Sequence, residues 1–125
     1  MRITDLLRSE GIQLHASPSD KASAIDLLAG LQEKAGNLSD KARYKADILA
    51  REEMSSTAIG NGIAVPHAKS AAVKRAGLAA ITVPGGVDYQ APDGLPSQLF
   101  FMIADVMELM TGLRREWGVI YPEEA

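Results

Sequence analysis

The chain has 125 residues, 46% hydrophobic and 23% charged, with a formal net charge of −3, which bounds it to one soluble globular domain around a single core. The acidic balance, with only Lys69, Lys74 and Arg75 as a local basic group, argues against a nucleic-acid or membrane-surface binder. The absence of cysteine excludes disulfides, thiolate metal sites and a cysteine nucleophile, and with no hydrophobic export or membrane-spanning run the chain is expected in the cytoplasm.

In chain order, Thr4 to Arg8 reads as a short helical turn capped by Thr4, followed by a short strand over Ile12-Gln13-Leu14-His15. Ser17-Pro18-Ser19-Asp20 opens an amphipathic helix in which Ala24, Ile25, Leu28 and Leu31 recur at helical spacing, and Gly36-Asn37 closes it. A second helix starts at Ser39-Asp40, turns Tyr44, Ile48 and Leu49 inward and runs to about Glu53, where Ser55-Ser56-Thr57 and Gly60 break the pattern. A glycine-rich bend leads into the strand Ile63-Ala64-Val65. The polar stretch Ala68 to Lys74 precedes a buried strand over Gly77–Val83 that Pro84-Gly85-Gly86 should end, and Val87-Asp88-Tyr89 reads as a brief strand. Asp93-Gly94 marks a turn, Gln98–Ala104 suits a central strand, Asp105 to Arg115 has helical spacing, and Trp117 to Ala125 reads as an irregular tail. The fold class is therefore α/β: a single domain, residues 1–125, with a small mixed β-sheet flanked by α-helices.

Most candidate chemistries fail on the residues. Gly60-Asn61-Gly62 begins a dinucleotide fingerprint, but Val65 replaces the third glycine and the stretch enters a strand rather than a helix. There is no P-loop and no nucleophile elbow, and His15 and His67 lack metal-ligand spacing, so no cofactor and no metal are expected. His67 stands apart from His15, which reads as structural or exposed. Pro66 restricts both its own φ and the conformation of Val65, so the imidazole leaves the strand along a narrow set of paths. A neutral imidazole can take a phosphoryl group without prior deprotonation. Amides of the Ser55–Gly62 bend could then cradle its oxygens. Arg51 has two readings, a planar clamp for those oxygens or a cation placed by the helix macrodipole. Ser56 and Thr57 likewise suit either a phosphate or imidazole contact or a local bond to the backbone. Lys69 and Ser70 read as solvated, with Lys69 close enough in sequence to screen a phosphate.

The run Arg51-Glu52-Glu53-Met54-Ser55-Ser56-Thr57-Ala58-Ile59-Gly60-Asn61-Gly62-Ile63-Ala64-Val65-Pro66-His67-Ala68-Lys69 resembles the phosphohistidine signature of the fructose/mannitol-type enzyme IIA domain of the bacterial phosphoenolpyruvate-dependent sugar phosphotransferase system. Met1 to Leu14, Ser70-Ala71-Ala72-Val73, Asp93-Gly94 and Leu99 to Ala104 extend the resemblance, toward the fructose branch. The resemblance implies a phosphoryl carrier in which His67 accepts from the phosphohistidine of HPr or an HPr-like domain and passes the group to a cysteine of an enzyme IIB domain. It also implies support from Arg51, Ser56 and Thr57. An alternative within the same resemblance is a regulator of the nitrogen-related branch that binds partners according to the phosphorylation of His67.

The C-terminal part departs from that pattern. The family continues past the strand equivalent to Leu99–Ala104 with a proline-containing loop and a second histidine. Here Asp105-Val106-Met107-Glu108 follows, and no histidine comes after His67. Residues 105–125 are thus expected to be divergent or truncated. Transfer would then be slower, use another donor such as Lys69, or be lost in a degenerate relative, and apolar surface left exposed would favour a homodimer.

Overall fold

The computed structural model describes residues 3–106. The side chains of Ile3 and Thr4, the helical segment expected after Val106 and the tail Trp117–Ala125 lie outside the described residues. Two helices form where the periodicity places them, α2 over Lys21–Lys34 and α3 over Lys41–Met54. Each begins at an aspartate whose carboxylate accepts from the third residue on, Asp20 from Ser23 N at 2.8 Å and Asp40 from Arg43 N at 3.1 Å. Ile25, Leu28, Tyr44 and Ile48 are fully buried and meet Ile81, Phe100 and Met102 of the sheet.

Five strands form the mixed sheet in the order β1-β4-β5-β3-β2. They are β1 (Leu7–Gln13), β2 (Ala58–Gly60), β3 (Ile63–Ala64), β4 (Gly77–Val87) and β5 (Ser97–Ala104), with α1 (Ile3–Leu6) leading directly into β1. β1 runs parallel to β4, β4 antiparallel to β5, β5 parallel to β3 and β3 antiparallel to β2. β5, the most apolar segment of the sequence, takes the middle position, as its composition requires.

Three expectations change. The first strand begins at Leu7 instead of Ile12, and it bulges, since Leu7 pairs with Leu78 but Ile12 already pairs with Ala80. Gly11 permits this, because a Cβ there would lie 2.8 Å from the Leu78 carbonyl oxygen. His15 falls outside the strand at φ 57°. Second, Pro84-Gly85-Gly86 does not end β4. Pairing breaks after Thr82–Leu99 and resumes at Val87–Ser97, so the segment is a bulge inside one long strand that ends at Val87, and Asp88 and Tyr89 of the brief strand expected there lie outside it. Gln98 Nε2 donates to the Pro84 carbonyl at 3.0 Å across it, a bond no local pattern announces. Third, the glycine-rich bend contains a strand of its own, β2, which pairs back on β3 around Asn61-Gly62.

A buried polar cluster ties the end of α2 to the start of β4. Gln32 Nε2 donates to the Met102 carbonyl at 3.1 Å and to that of Gly77 at 3.3 Å, and its Oε1 accepts from Asn37 Nδ2 at 2.7 Å. Asn37 Oδ1 accepts from Arg75 Nε at 3.1 Å. The backbone of Gly77 lies directly beneath the Asn37 amide, where a Cβ would come within 2.0 Å of Nδ2. Replacing Asn37 by alanine strands buried polar atoms and should cost about 2 kcal/mol. Gly77→Ala expels the same side chain, so urea titration of Asn37→Ala/Gly77→Ala should give a loss smaller than the sum of the two single variants.

Candidate functional site

His67 is set by an extension of the sheet. β3 pairs with β5 through Ile63–Leu99 and Ala64–Phe100, and beyond the strand His67 pairs with Ile103 with the register carried over unchanged. Pro66 has no N–H to give, but its carbonyl accepts from Ile103 N at 3.0 Å, and Val65 N donates to the Thr57 carbonyl at 3.1 Å. The hairpin turn feeding this segment is fastened at its tip by Asp93, which accepts from Asn61 N at 2.9 Å and from Leu95 N at 3.1 Å. Those bonds hold the Asp93 carboxyl below the usual range. On the far side, Ser70 Oγ donates to Asp47 Oδ2 at 2.6 Å and ties the segment after His67 to α3.

The imidazole is 7% exposed, and its Nδ1 lies 2.6 Å from the Val65 carbonyl oxygen. A carbonyl only accepts, so Nδ1 carries the proton and Nε2 carries the ring lone pair. Burial pushes the pKa of His67 down. The Val65 bond opposes that shift, the positive charge of Arg51 adds to it and Glu52 opposes it. The group is therefore a neutral imidazole of defined tautomer at neutral pH.

Arg51 reaches the site from the last turn of α3. Its Nη1 donates to the Ser55 carbonyl at 2.9 Å, as a cation at a helix C-terminus does. Its Nε is buried without an acceptor among the described residues. The hydroxyls of Ser56 and Thr57 point their protons elsewhere. Ser56 Oγ donates to the Tyr89 carbonyl at 2.5 Å and accepts from Ala58 N at 3.1 Å. Thr57 Oγ1 donates to Glu52 Oε2. Three amides of the cradle expected from Ser55 to Gly62 are already engaged: Thr57 N donates to Glu52, Ala58 N to Ser56 and Asn61 N to Asp93. The bend is closed by its own bonds because its residues pair into β2 and the hairpin.

Sequence reasoning passed over Glu52. It is 5% exposed, holds Thr57 N and Oγ1, and pairs with Lys21 Nζ at 2.9 Å. Its spacing carries a signal, since Tyr44, Ile48 and Glu52 recur every four residues and so share the buried face of α3. Lys21 and Tyr89 had no such signal. Tyr89 is fully buried beside Glu52 and Thr57, and burial, with the Glu52 charge, pushes its hydroxyl pKa up. Among the described residues no group of three or more histidines or carboxylates could hold a metal ion, and no helix is long and apolar enough to cross a membrane.

Residues 5–106 match the family described as phosphoenolpyruvate-dependent sugar phosphotransferase system, EIIA 2. The chain belongs to this family. The resemblance read from Arg51 to Lys69 and the fold class of a mixed sheet with helices both stand. Over 104 residues this EIIA-type chain is 46% identical to the PTS system fructose-specific EIIABC component of Bacillus subtilis, a match covering 83% of the chain and 16% of that much longer relative. It is 32% identical over 120 residues to the PTS system fructose-specific EIIA component of Haloferax volcanii, covering 90% of the chain and 78% of the relative. Its backbone also resembles the crystal structure of nitrogen regulatory protein IIA-Ntr from Neisseria meningitidis, with a TM-score of 0.75, 28% identity, and coverage of 96% of this chain and 86% of that one.

The lowered pKa of His67 makes stability depend on pH. The unfolded imidazole titrates near 6.5 and the folded one below it. Between those values the unfolded chain binds the extra proton, so stability falls as the pH drops through that window. His67→Gln removes this dependence. Denaturant titrations at pH 7.5 and at pH 5 should show wild type losing more stability than the variant, and equal losses would contradict the buried neutral imidazole.

Proposed function

We propose that this EIIA domain carries a phosphoryl group on Nε2 of His67, taking it from the phosphohistidine of HPr or an HPr-like domain and passing it to a cysteine of an enzyme IIB domain during fructose-type sugar uptake in the cytoplasm. The observation that carries the proposal is a tautomer-fixed imidazole within the electrostatic reach of Arg51, whose buried Nε–H has no acceptor among the described residues. A phosphoryl oxygen bound at His67 would supply that acceptor, and the guanidinium would neutralise its charge.

In the transfer, the Nε2 lone pair attacks phosphorus while the donor's N–P bond breaks and its electron pair returns to the donor nitrogen. The ring gains positive charge as the new bond forms, and the Val65 carbonyl on Nδ1 stabilises it. Such a transfer between nitrogens needs little covalent assistance, so positioning and charge neutralisation dominate. Ser56 and Thr57 support the site by holding the loop, with their protons committed to Tyr89 and Glu52. The fructose-specific relatives favour the sugar branch, and a relative named as an EIIABC component favours an enzyme IIB acceptor.

The likeness to IIA-Ntr favours a second reading, a regulator that binds partners according to the state of His67. Phosphorylation with phosphoenolpyruvate, enzyme I and HPr separates the two. Wild type should take up one label, borne on Nε2 by phosphorus–proton correlation, and His67→Ala none. Arg51→Ala should slow labelling by about a hundredfold, the cost of losing a preorganised donor to a developing charge. A wild type that takes no label is a degenerate carrier. A labelled protein that passes the group to no enzyme IIB supports the regulator.

A further inference from the structure

The Glu52 carboxylate is an unfavourable neighbour for an incoming phosphoryl group. Its side chain is 2% exposed, it acts electrostatically on His67, and it follows Arg51 directly in α3. A buried carboxylate demands a cation, because an uncompensated charge in the interior is strongly destabilising. Arg51 does not answer that demand. It bonds Ser55 instead, and its Nε stays buried without an acceptor among the described residues. Glu52 takes its donors from elsewhere: Lys21 Nζ at 2.9 Å and Thr57 N at 3.1 Å on Oε1, and Thr57 Oγ1 on Oε2.

We propose that Lys21 is a positioning residue of the His67 site: as the counter-ion of Glu52 it keeps that carboxylate from capturing Arg51 and offsets its charge before a phosphoryl group arrives. This inference rests on the phosphoryl-carrier reading of His67. Lys21 is the first residue of α2, and its ammonium is held from several directions. It donates to Gln90 Oε1 at 2.9 Å and sits 4.6 Å from the centre of the Tyr89 ring. The other carboxylate lining the same cavity of about 390 Å³, Glu53, is solvent-exposed and has no need of a buried partner.

The charges decide the effect. With His67 neutral, Lys21 and Glu52 cancel and Arg51 leaves the site with a net positive charge for the phosphoryl oxygens. Without Lys21, Glu52 and Arg51 cancel each other, and the phosphoryl group approaches a neutral cluster beside a buried carboxylate. Repulsion across a poorly screened interior then raises the barrier to transfer.

The test uses the full chain and two readouts, the maximal rate of His67 labelling by phospho-HPr and the titration of His67 by NMR. Lys21→Met keeps the stem and removes the charge. It should slow labelling by about tenfold, well short of the loss expected for a direct donor. It should also raise the His67 pKa, since a lost cation and an uncompensated carboxylate both favour the imidazolium. Glu52→Gln should move that pKa in the opposite direction, and Lys21→Met/Glu52→Gln should restore labelling to within about threefold of wild type. Wild-type rate and titration in Lys21→Met would overturn the proposal. So would a double variant as slow as Lys21→Met, which would mark Lys21 as a packing residue only. If Lys21→Met does not fold, the Glu52→Gln titration decides, and an unmoved or raised His67 pKa there is equally fatal. A wild type that takes no label refutes the carrier reading instead, while the two titrations still report on Lys21 and Glu52.

Discussion

The hydrogen bond from Ile103 N to the Pro66 carbonyl, at 3.0 Å, holds the chain beyond β3 against the central strand of the sheet. Val65-Pro66-His67 has left the strand ladder by this point, and a proline can contribute only its carbonyl to a ladder. That one bond, with the His67–Ile103 pairing, makes the segment an extension of the sheet and not a loose loop. The imidazole therefore inherits the rigidity of β5, whose Phe100 and Met102 are fully buried in the core. The short bond from Nδ1 to the Val65 carbonyl then fixes the ring's tautomer from within the same turn.

Around this fixed ring the protein sets one buried carboxylate against two cations, Lys21 offsetting Glu52 and Arg51 left over as net positive charge. Arg51, Glu52 and Lys21 come from two helices and meet beside Thr57 and Tyr89. Lys21 and Glu52 make each other tolerable. A half-satisfied polar network is worse than an apolar core, because in a low dielectric an unmatched group costs more than a matched one contributes. The Gln32–Asn37–Arg75 cluster obeys the same rule for a structural purpose, satisfying the end of α2 and the first carbonyl of β4 together. Arg51 Nε departs from that rule among the described residues, as do the hydroxyls of Tyr89 and Ser97, and it alone of the three is a cationic donor that suits an anion.

Much of this was legible in the chain itself. α2 and α3 follow from apolar residues at helical spacing and from Asp20 and Asp40 as caps, interactions confined to a few residues. β5 follows from an apolar run, and the family follows from the residues between Arg51 and Lys69. Local rules failed where distant contacts overrode them. Pro84-Gly85-Gly86 looks like a strand end but is spanned by a bond from Gln98, and the Gly60 bend looks like an open anion cradle until Glu52, Ser56 and Asp93 engage three of its amides.

The sequence by itself determined the helices, the central strand, the aimed histidine and the family, because each is written in neighbouring residues whose conformational limits are local. Only the tertiary structure decided which ring nitrogen of His67 carries the lone pair, where the protons of Ser56 and Thr57 go, and that Lys21 answers Glu52. Those outcomes depend on partners brought together from separate elements and on the burial that makes their charges matter. Spacing along the chain encodes neither.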